Sequence, residues 1–366
     1  MLDEVDLALV DAMQLNPRAS WASLGSVLEL APITLARRWQ RLVDSGSAWV
    51  TVALSNRRMR GAVLEMSCRP GTARAVALAL AELPHVSTVG ITTGRYQVFA
   101  LVLAPTLPAI ADVLVRRLPV PQDVTALHSY LYSGLFGGVV WRLGVMNPVQ
   151  AEQVREAPGP APASMRPFGE GDRRLFLALG HDGRRSYNDL AEELGTSPQA
   201  VRRRLDRLRR HGDVTFRCDV ARPLTGWGSM AFLWLSVPDD DLAVAGRSLG
   251  ALPETRHCSG VPGPANLALV VSLRSLEHLD EVLGRIVRAH PTATVVDRRV
   301  VLQQVKVHGR IVDEQGRSVR VVPVDPWAAT DASSEQSWKR VDERWRSSSH
   351  GVRCASPRWC RPRTSR

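Results

Sequence analysis

The densest group of chemically useful residues is the run PQAVRRRLDRLRR at residues 198–210, which holds six arginines and one aspartate. An arginine guanidinium can donate two hydrogen bonds to guanine and can bind phosphate oxygens. Val201, Leu205 and Leu208 recur at helical spacing, so one face of the predicted helix is apolar and the opposite face is basic. A basic helix face is often merely solvated, but this pattern also suits a helix that enters the DNA major groove.

The residues around this run would position it for that role. Within residues 186–214, a short apolar helix is broken by Gly195, which tolerates the positive φ of a sharp turn. Ser197 is a good N-cap for the second helix, Pro198 suits its first position, and Gly212 ends it. A short helix, a glycine turn and a basic second helix predict a helix-turn-helix.

The first 55 residues repeat this element without a gap. A constant offset of 166 residues takes Asp6 to Asp172 and Pro32 to Pro198, so the chain holds two copies of one module. In each copy the residues after the glycine, 49–54 and 214–220, are β-rich and predict a wing. The candidate DNA-binding residues are Ser186, Ser197, Gln199, Arg202, Arg203, Arg204 and Arg207 in the second copy, and Thr34, Arg37, Arg38 and Arg41 in the first.

The second copy is expected to dominate DNA affinity. At aligned positions the first copy lacks an N-cap side chain and two groove-facing polar groups. The replacements are Ala31 for Ser197, Ile33 for Gln199 and Ala36 for Arg202.

Each module is followed by a second repeated pattern, now at an offset of 169 residues. The order strand, helix, strand, strand, helix, strand predicts a ferredoxin-like βαββαβ domain, so the fold class is α+β with two winged helix-turn-helix modules, each followed by such a domain. Two helices cover only one face of each sheet. The other face must be buried, and pairing with another such sheet would do this.

These patterns divide the chain into six segments. We expect two DNA-binding modules, two sheet domains, a Pro/Ala-rich linker and an unstructured basic tail. In chain order the segments are helix-turn-helix domain 1 at 1–55, sheet domain 1 at 58–145, the linker at 146–168, helix-turn-helix domain 2 at 169–221, sheet domain 2 at 226–310, and the tail at 311–366.

Composition narrows the possible partners. The chain has 366 residues, a net charge of +11 and a pI near 10.4, which favours a polyanionic partner such as double-stranded DNA. An acidic N-terminus and the lack of an 18-residue apolar run predict a soluble, cytoplasmic protein with no membrane partner. Five cysteines without C-x-x-C spacing suggest reduced thiols, and the dispersed histidines predict no metal site and no cofactor.

Taken together, residues 2–46 and 169–214, with GRYQVFALVL at 94–103, resemble the Lrp/AsnC (feast/famine) family of transcription regulators. The resemblance covers about residues 2–145 and 170–310. It implies DNA-binding transcriptional control rather than an enzyme, self-association through the sheet domains, and often a small effector such as an amino acid.

The effector site that the resemblance implies would lie at Gly94, Tyr96 and Gln97. The family usually has an acidic residue after Gly-x-Tyr, where this chain has Gln97, and the second copy has Asn266. An amino-acid effector is therefore not supported by these residues. A plain turn between two strands explains Gly94 equally well.

An alternative from another class is an enzyme. Fused Lrp-like chains also resemble sirohaem decarboxylases, which act on a tetrapyrrole with histidine and arginine in the sheet domains. The segments after the two wings lack the aromatic, Gly-Pro-rich run expected of that group. The six arginines of residues 198–210 would also have no role there.

Overall fold

The structure, a computed structural model, describes residues 2–118, 120–138, 141–155 and 167–329. Its first half begins with the predicted helix-turn-helix and wing, and continues into the predicted βαββαβ order. The elements are α1 (Glu4–Leu15), α2 (Trp21–Leu28), α3 (Pro32–Asp44), β1 (Ala48–Leu54), β2 (Arg60–Cys68), α4 (Ala73–Ala81), β3 (Val86–Thr92), β4 (Val98–Ala104), α5 (Leu107–Asp112), β5 (Val124–Leu131), β6 (Gly134–Gly137) and α6 (Pro148–Val154).

The second half repeats this order and then adds two strands. Its elements are α7 (Glu170–His181), α8 (Tyr187–Leu194), α9 (Pro198–Arg210), β7 (Val214–Val220), β8 (Ser229–Ser236), α10 (Leu242–Gly250), β9 (Thr255–Gly260), β10 (Leu267–Leu273), α11 (His278–Ala289), β11 (Thr294–Val307), β12 (Arg310–Val312) and β13 (Ser318–Val321). The prediction of an α+β fold with two copies of one architecture is confirmed.

The two halves exchange strands at their sheet edges. The strand order is β5-β2-β4-β3-β11-β8-β10-β9-β6. The beginning of β11 pairs with β8 of its own half, and its end pairs with β3 of the first half. In return, β6 of the first half joins the edge of β9. This exchange ties the two sheet domains into one unit and covers two open strand edges.

The sheet faces that the helices leave uncovered pack against each other. Phe99 of β4 and Phe232 of β8 lie with their ring centroids 5.1 Å apart, and Tyr130 of β5 lies 4.7 Å from Trp234 of β8. Buried Glu65 of β2 accepts a hydrogen bond from the indole N–H of Trp234 at 2.8 Å. The predicted need for a second sheet is therefore met within one chain.

A two-stranded ribbon joins the two helix-turn-helix modules. Strands β1 and β7 are antiparallel, and Thr51 lies opposite Arg217 at the centre of the seven paired positions. The side chains of both modules contribute to one continuous core around this ribbon. The two helix-turn-helix modules are therefore joined directly, as the two sheet domains are.

Two of the expected segment boundaries are wrong. The linker expected at 146–168 contains α6, which Asn147 caps by accepting a hydrogen bond from the amide of Gln150. The tail expected from residue 311 starts too early, because β12, β13 and the 3-10 turn Pro326–Ala329 belong to the fold. Trp327 stacks on Phe168 at 5.2 Å between centroids. The part of the tail after residue 329 and residues 156–166 lie outside the described residues.

Across the described ranges, no helix is long and apolar enough to cross a membrane. Those same residues contain no group of three or more His, Cys, Asp and Glu side chains placed to hold a metal ion.

Candidate nucleic-acid interface

The turn between α8 and α9 is built as its sequence predicts. The Ser186 hydroxyl accepts a hydrogen bond from the amide of Asp189 at 3.1 Å and starts α8. Gly195 ends that helix in the left-handed region, with φ 64°. The Ser197 hydroxyl then accepts from the amide of Ala200 at 3.2 Å and starts α9. Both predicted serines therefore act as N-caps, and both remain exposed.

Helix α9 has one buried and one exposed face. Val201, Leu205 and Leu208 are 0–2% exposed and pack into the core of the modules. On the opposite face, Arg202 and Arg203 are exposed, and the Arg202 side chain retains 71% of its accessible surface. Gln199 and Arg210 are also exposed. This face presents cations and an amide to solvent, which suits contact with phosphates and base edges.

Two of the predicted DNA-binding arginines have an internal partner. The Arg207 guanidinium lies 2.5 Å from a carboxylate oxygen of buried Asp172 on α7, and Arg204 lies 3.5 Å from the same oxygen. Asp172 also accepts a hydrogen bond from the amide of Gly169. These contacts fix α9 against α7. Arg204 and Arg207 thus hold α9 in place, and their side chains are less exposed than that of Arg202.

The first copy repeats this arrangement. Buried Asp6 of α1 lies 2.9 Å from the guanidinium of Arg38 and 3.2 Å from that of Arg41. Arg38 also pairs with Asp3 at 2.6 Å, which lowers the pKa of that carboxyl. The sequence comparison aligned Asp6 with Asp172 but gave neither a role. The sequence signal for this contact was an aspartate at the same position of both copies, followed in each copy by two arginines of the second helix of the helix-turn-helix motif.

The remaining surface of α3 is less polar than that of α9. Thr34 and Arg37 are exposed, but Ile33 is 62% exposed at the position of Gln199. Ala31 gives the helix no side-chain cap. Glu29 adopts φ 55° where the second copy has Gly195. Compared with α9, helix α3 thus has fewer polar side chains on its exposed face, no side-chain N-cap, and a preceding turn that is less favourable for a residue with a Cβ.

A reciprocal pair of arginines locks the two modules together. Arg18 donates to the carbonyls of Gly183 and Arg185 at 2.5 and 3.1 Å. Arg184 donates to the carbonyls of Pro17 and Ala19 at 2.7 and 3.0 Å. Burial lowers the pKa of Arg184 to about 10. This contact, which sequence reasoning missed, sets the relative orientation of the two helix-turn-helix modules.

The predicted effector residues form a self-contained turn. The Gln97 amide accepts from the backbone N–H of Cys68 at 2.8 Å and donates to the carbonyl of Gly94 at 2.9 Å. Gly94 has φ 87°, and the Tyr96 hydroxyl lies 3.2 Å from Nε2 of His128. In the second half, the Asn266 amide accepts a hydrogen bond from the backbone N–H of Val237 at 2.9 Å and donates one to the carbonyl of Val237 at 2.7 Å. Both amides already serve to hold a strand end, as the plain-turn interpretation expects.

Sequence profiles of known families match both kinds of domain. The AsnC-type helix-turn-helix domain matches residues 2–43 and 170–209, and the Lrp/AsnC ligand binding domain matches residues 230–311. The first sheet domain has the same element order as the matched one.

Individual proteins support the same assignment. An uncharacterized HTH-type transcriptional regulator of Pyrococcus furiosus is 30% identical over 139 residues, which span 37% of this chain and 94% of the relative. The regulator LrpA of Mycobacterium tuberculosis is 31% identical over 137 residues, covering 36% of this chain and 87% of the relative. Over the whole chain, the fold is similar to the crystal structure of the siroheme decarboxylase NirDL, with a TM-score of 0.56 at 13% identity, covering 93% of this chain and 99% of that one. This last likeness concerns the fold alone, whereas the sequence matches show that the chain belongs to the Lrp/AsnC family of helix-turn-helix transcriptional regulators.

Proposed function

We propose that this chain is a cytoplasmic transcription regulator that binds double-stranded DNA sequence-specifically, mainly through α9. The observation that carries the proposal is the exposed face of that helix. The side chains of Gln199, Arg202 and Arg203 are exposed on one face of α9. Asp172 holds α9 against α7 through Arg207. Arg202 lies 3.8 Å from the Asp206 carboxylate on the same helix, and its side chain stays exposed. A helix that is held in place and exposes guanidinium and amide groups on one face is what major-groove recognition requires.

The two reading helices are proposed to contact adjacent half-sites unequally. The antiparallel β1–β7 ribbon and the Arg18–Arg184 contacts relate the modules by a local twofold. A twofold protein favours a pseudo-palindromic operator. Because α3 presents Ile33 where α9 presents Gln199, the half-site under α9 should be the more strictly specified one.

The test compares single substitutions at aligned positions. Arg203→Ala and Arg37→Ala each remove one exposed arginine from equivalent sites. Arg174→Ala, on the exposed side of α7, removes the same charge elsewhere. Binding fragments are first selected from genomic DNA, and affinities are then measured at several salt concentrations.

We expect Arg203→Ala to weaken binding by about 1 to 3 kcal/mol if it contacts a base, or to lower the salt slope by about one if it contacts a phosphate. Arg37→Ala should have a smaller effect, and Arg174→Ala should have little. If Arg203→Ala is harmless while Arg37→Ala abolishes binding, the assignment of the dominant helix is wrong. If none of the three changes binding, DNA contact through these helices is wrong.

Amino-acid sensing at the Gly94 turn is not part of this proposal. The carboxamides of Gln97 and Asn266 hold strand ends and offer no carboxylate to an α-ammonium group. A neutral polar effector is the kind of small molecule that this turn could accept. Calorimetry with the twenty amino acids should give no micromolar binding that Gln97→Ala abolishes.

A second candidate function, sirohaem decarboxylation, is favoured only by the whole-chain fold likeness to NirDL. The cavity between the ribbon and the sheets measures about 70 Å³, and a cavity that adjoins it at Leu103, Tyr132 and Leu135 measures about 220 Å³. Each is below the roughly 300–1,000 Å³ typical of sites for drug-sized ligands. Absorption titration with sirohaem tests this candidate. A saturable spectral shift together with loss of carbon dioxide from the substrate would favour the enzyme over the regulator.

A further inference from the structure

A cavity lies at the centre of the molecule, between the β1–β7 ribbon and the paired sheets. Its volume is about 70 Å³, and a neighbouring cavity of about 30 Å³ shares Leu101, Arg217, His257 and His308 with it. One end of the larger cavity is apolar, with Leu54, Leu101, Leu103, Leu135 and Phe176 among its walls. The other end carries guanidinium and imidazole groups.

The polar end has more positive than negative charge. Arg217, Arg222 and Arg256 line the smaller cavity, and Asp219 is the one carboxylate that lines either cavity among the described residues. Arg217 binds Asp219 through two hydrogen bonds of 2.8 and 2.9 Å. Although burial alone would raise the pKa of Asp219, the adjacent Arg217 holds it well below its ordinary value. Of the three buried guanidinium groups, those of Arg217 and Arg256 lie 2.8 and 3.9 Å from this carboxylate.

Asp219 satisfies the guanidinium of Arg256 only in part. Its side chain is 8% exposed, and its nearest approach to Asp219 is 3.9 Å. Its guanidinium stacks over Trp141, with Cζ 3.9 Å from the ring centroid. Nη1 of Arg256 is buried and has no hydrogen-bond partner within the described ranges. A buried donor without a partner is costly unless something accepts from it.

The fold itself does not require these charges. In the first copy, the positions equivalent to Arg217 and Asp219 are Thr51 and Ala53, and those equivalent to Arg256 and His257 are Ser87 and Thr88. The first copy forms the same strands with neutral residues. The charged end therefore belongs to one side of a pseudo-symmetric cavity, as expected if it serves a ligand rather than the architecture.

We propose that the two adjoining cavities together bind a short-chain monocarboxylate. The carboxylate would lie on Arg256 in the smaller cavity, and the alkyl group would lie in the larger one, toward Leu101, Leu103 and Leu135. A buried guanidinium pairs best with a planar carboxylate. The larger cavity of the pair is about half of the roughly 150 Å³ that holds benzene in an engineered apolar cavity, so an anion the size of acetate or propionate would fill it. At Leu103 and Leu135 it adjoins a third cavity of about 220 Å³, into which a longer alkyl chain could extend. Inorganic phosphate would leave oxygens facing the apolar walls without partners.

Calorimetric titration of the full chain with propionate tests the proposal, in a buffer free of phosphate and carboxylates. We expect a dissociation constant of about 0.1–10 mM, in the range that ligands of so few atoms reach. Propionamide, which has the same shape without the charge, should bind at least about tenfold more weakly. This comparison uses the unaltered protein and does not depend on any variant folding.

Arg256→Gln should weaken propionate binding at least about tenfold, whereas Arg247→Gln, an exposed charge change on α10, should leave it unchanged. Circular dichroism checks that both variants are folded. Absence of propionate binding, equal binding of propionamide, or unchanged binding to folded Arg256→Gln would each overturn the proposal. Phosphate binding more tightly than propionate would overturn the assignment of a carboxylate. None of these outcomes depends on whether the chain binds DNA.

Discussion

Thr51 and Arg217 lie directly opposite each other in the β1–β7 ribbon, and they occupy the same position in the two copies of the module. The flanking pairs are reciprocal: Val50 faces Cys218, and Val52 faces Phe216. A local twofold axis therefore passes between Thr51 and Arg217. The arrangement that two separate chains would form as a dimer is present here within one chain.

The first prediction is that folding does not depend on association. Because the paired sheets and the ribbon are all intramolecular, the thermal unfolding midpoint should be constant over about a hundredfold range of protein concentration. Differential scanning fluorimetry and calorimetry together cover this range. Light scattering in the same buffer provides the mass for comparison with 40.2 kDa. A midpoint that rises with concentration would show that contacts between chains are needed for stability.

The second prediction concerns the contact between modules. Arg184→Met keeps a long apolar side chain but removes two donors to the carbonyls of Pro17 and Ala19. Hydrogen bonds from charged donors contribute about 1.5–3 kcal/mol each, so we expect the loss of both to lower the free energy of unfolding by about 3–6 kcal/mol. Urea denaturation measures it. The control Arg174→Met, at an exposed position, should change stability by less than about 0.5 kcal/mol.

The third prediction uses a difference between the two turns. Glu29 holds φ 55° where Gly195 holds φ 64°. A residue with a Cβ is strained there, so Glu29→Gly should stabilise the protein by about 0.5–1 kcal/mol, and Gly195→Ala should destabilise it by a similar amount. The urea midpoint should move with little change in slope. If both substitutions destabilise, the turn conformations differ from those described.

The fourth prediction follows from His85, which is 1% exposed. Burial, and secondarily the charge of Lys306, lower the pKa of His85 from 6.5 to about 3. Between these values the unfolded chain binds a proton that the folded chain does not. Stability is therefore fully present above about pH 6.5 and is lost as the pH falls toward 3, by up to about 1.4 kcal/mol per pH unit for one proton.

His85→Asn should reduce this acid-side slope by about one proton, whatever it does to the absolute stability. Urea unfolding at pH 4 to 6.5 measures the slope. Leu80→Ala, in the core of the same sheet domain, destabilises the protein without removing a titrating group, so its slope should equal that of the unaltered chain. An unchanged slope in His85→Asn would show that this imidazole is not buried in its neutral form.

Local sequence signals predicted the modules well because they act over a few residues. The serine caps, Gly195 and the apolar stripe of α9 each form the feature that their chemistry favours. The repeat added the architecture, since one offset placed both copies in register. The helix α6 was missed because the flanking Pro/Ala-rich run outweighed a short cap-and-proline start at Asn147 and Pro148.

Long-range contacts were the part that the sequence could not reveal. Arg204 and Arg207 were predicted to bind DNA from the flanks of the basic face, but their partner Asp172 lies on another helix, 35 residues before Arg207. The exchange of β6 and the end of β11 between sheets depends on strand edges that no local pattern marks. The central cavity likewise collects Arg256 and His308 from distant segments.

The last prediction transfers the chemistry of α9 to α3. Ala31→Ser supplies the cap that Ser197 provides in the second copy, which should stabilise the helix by about 1 kcal/mol. Adding Ile33→Gln replaces an exposed apolar side chain with the amide found at Gln199. If the first module reads DNA weakly because it lacks these groups, the double variant should bind the selected DNA more tightly or accept a more symmetric site. Salt titrations and a second round of fragment selection measure the affinity and the site preference.

The control Leu107→Gln also replaces an exposed apolar residue, but at the start of α5, and should alter neither the affinity nor the site preference. A double variant that folds normally and keeps the affinity and site preference of the unaltered chain would show that α3 does not enter the groove.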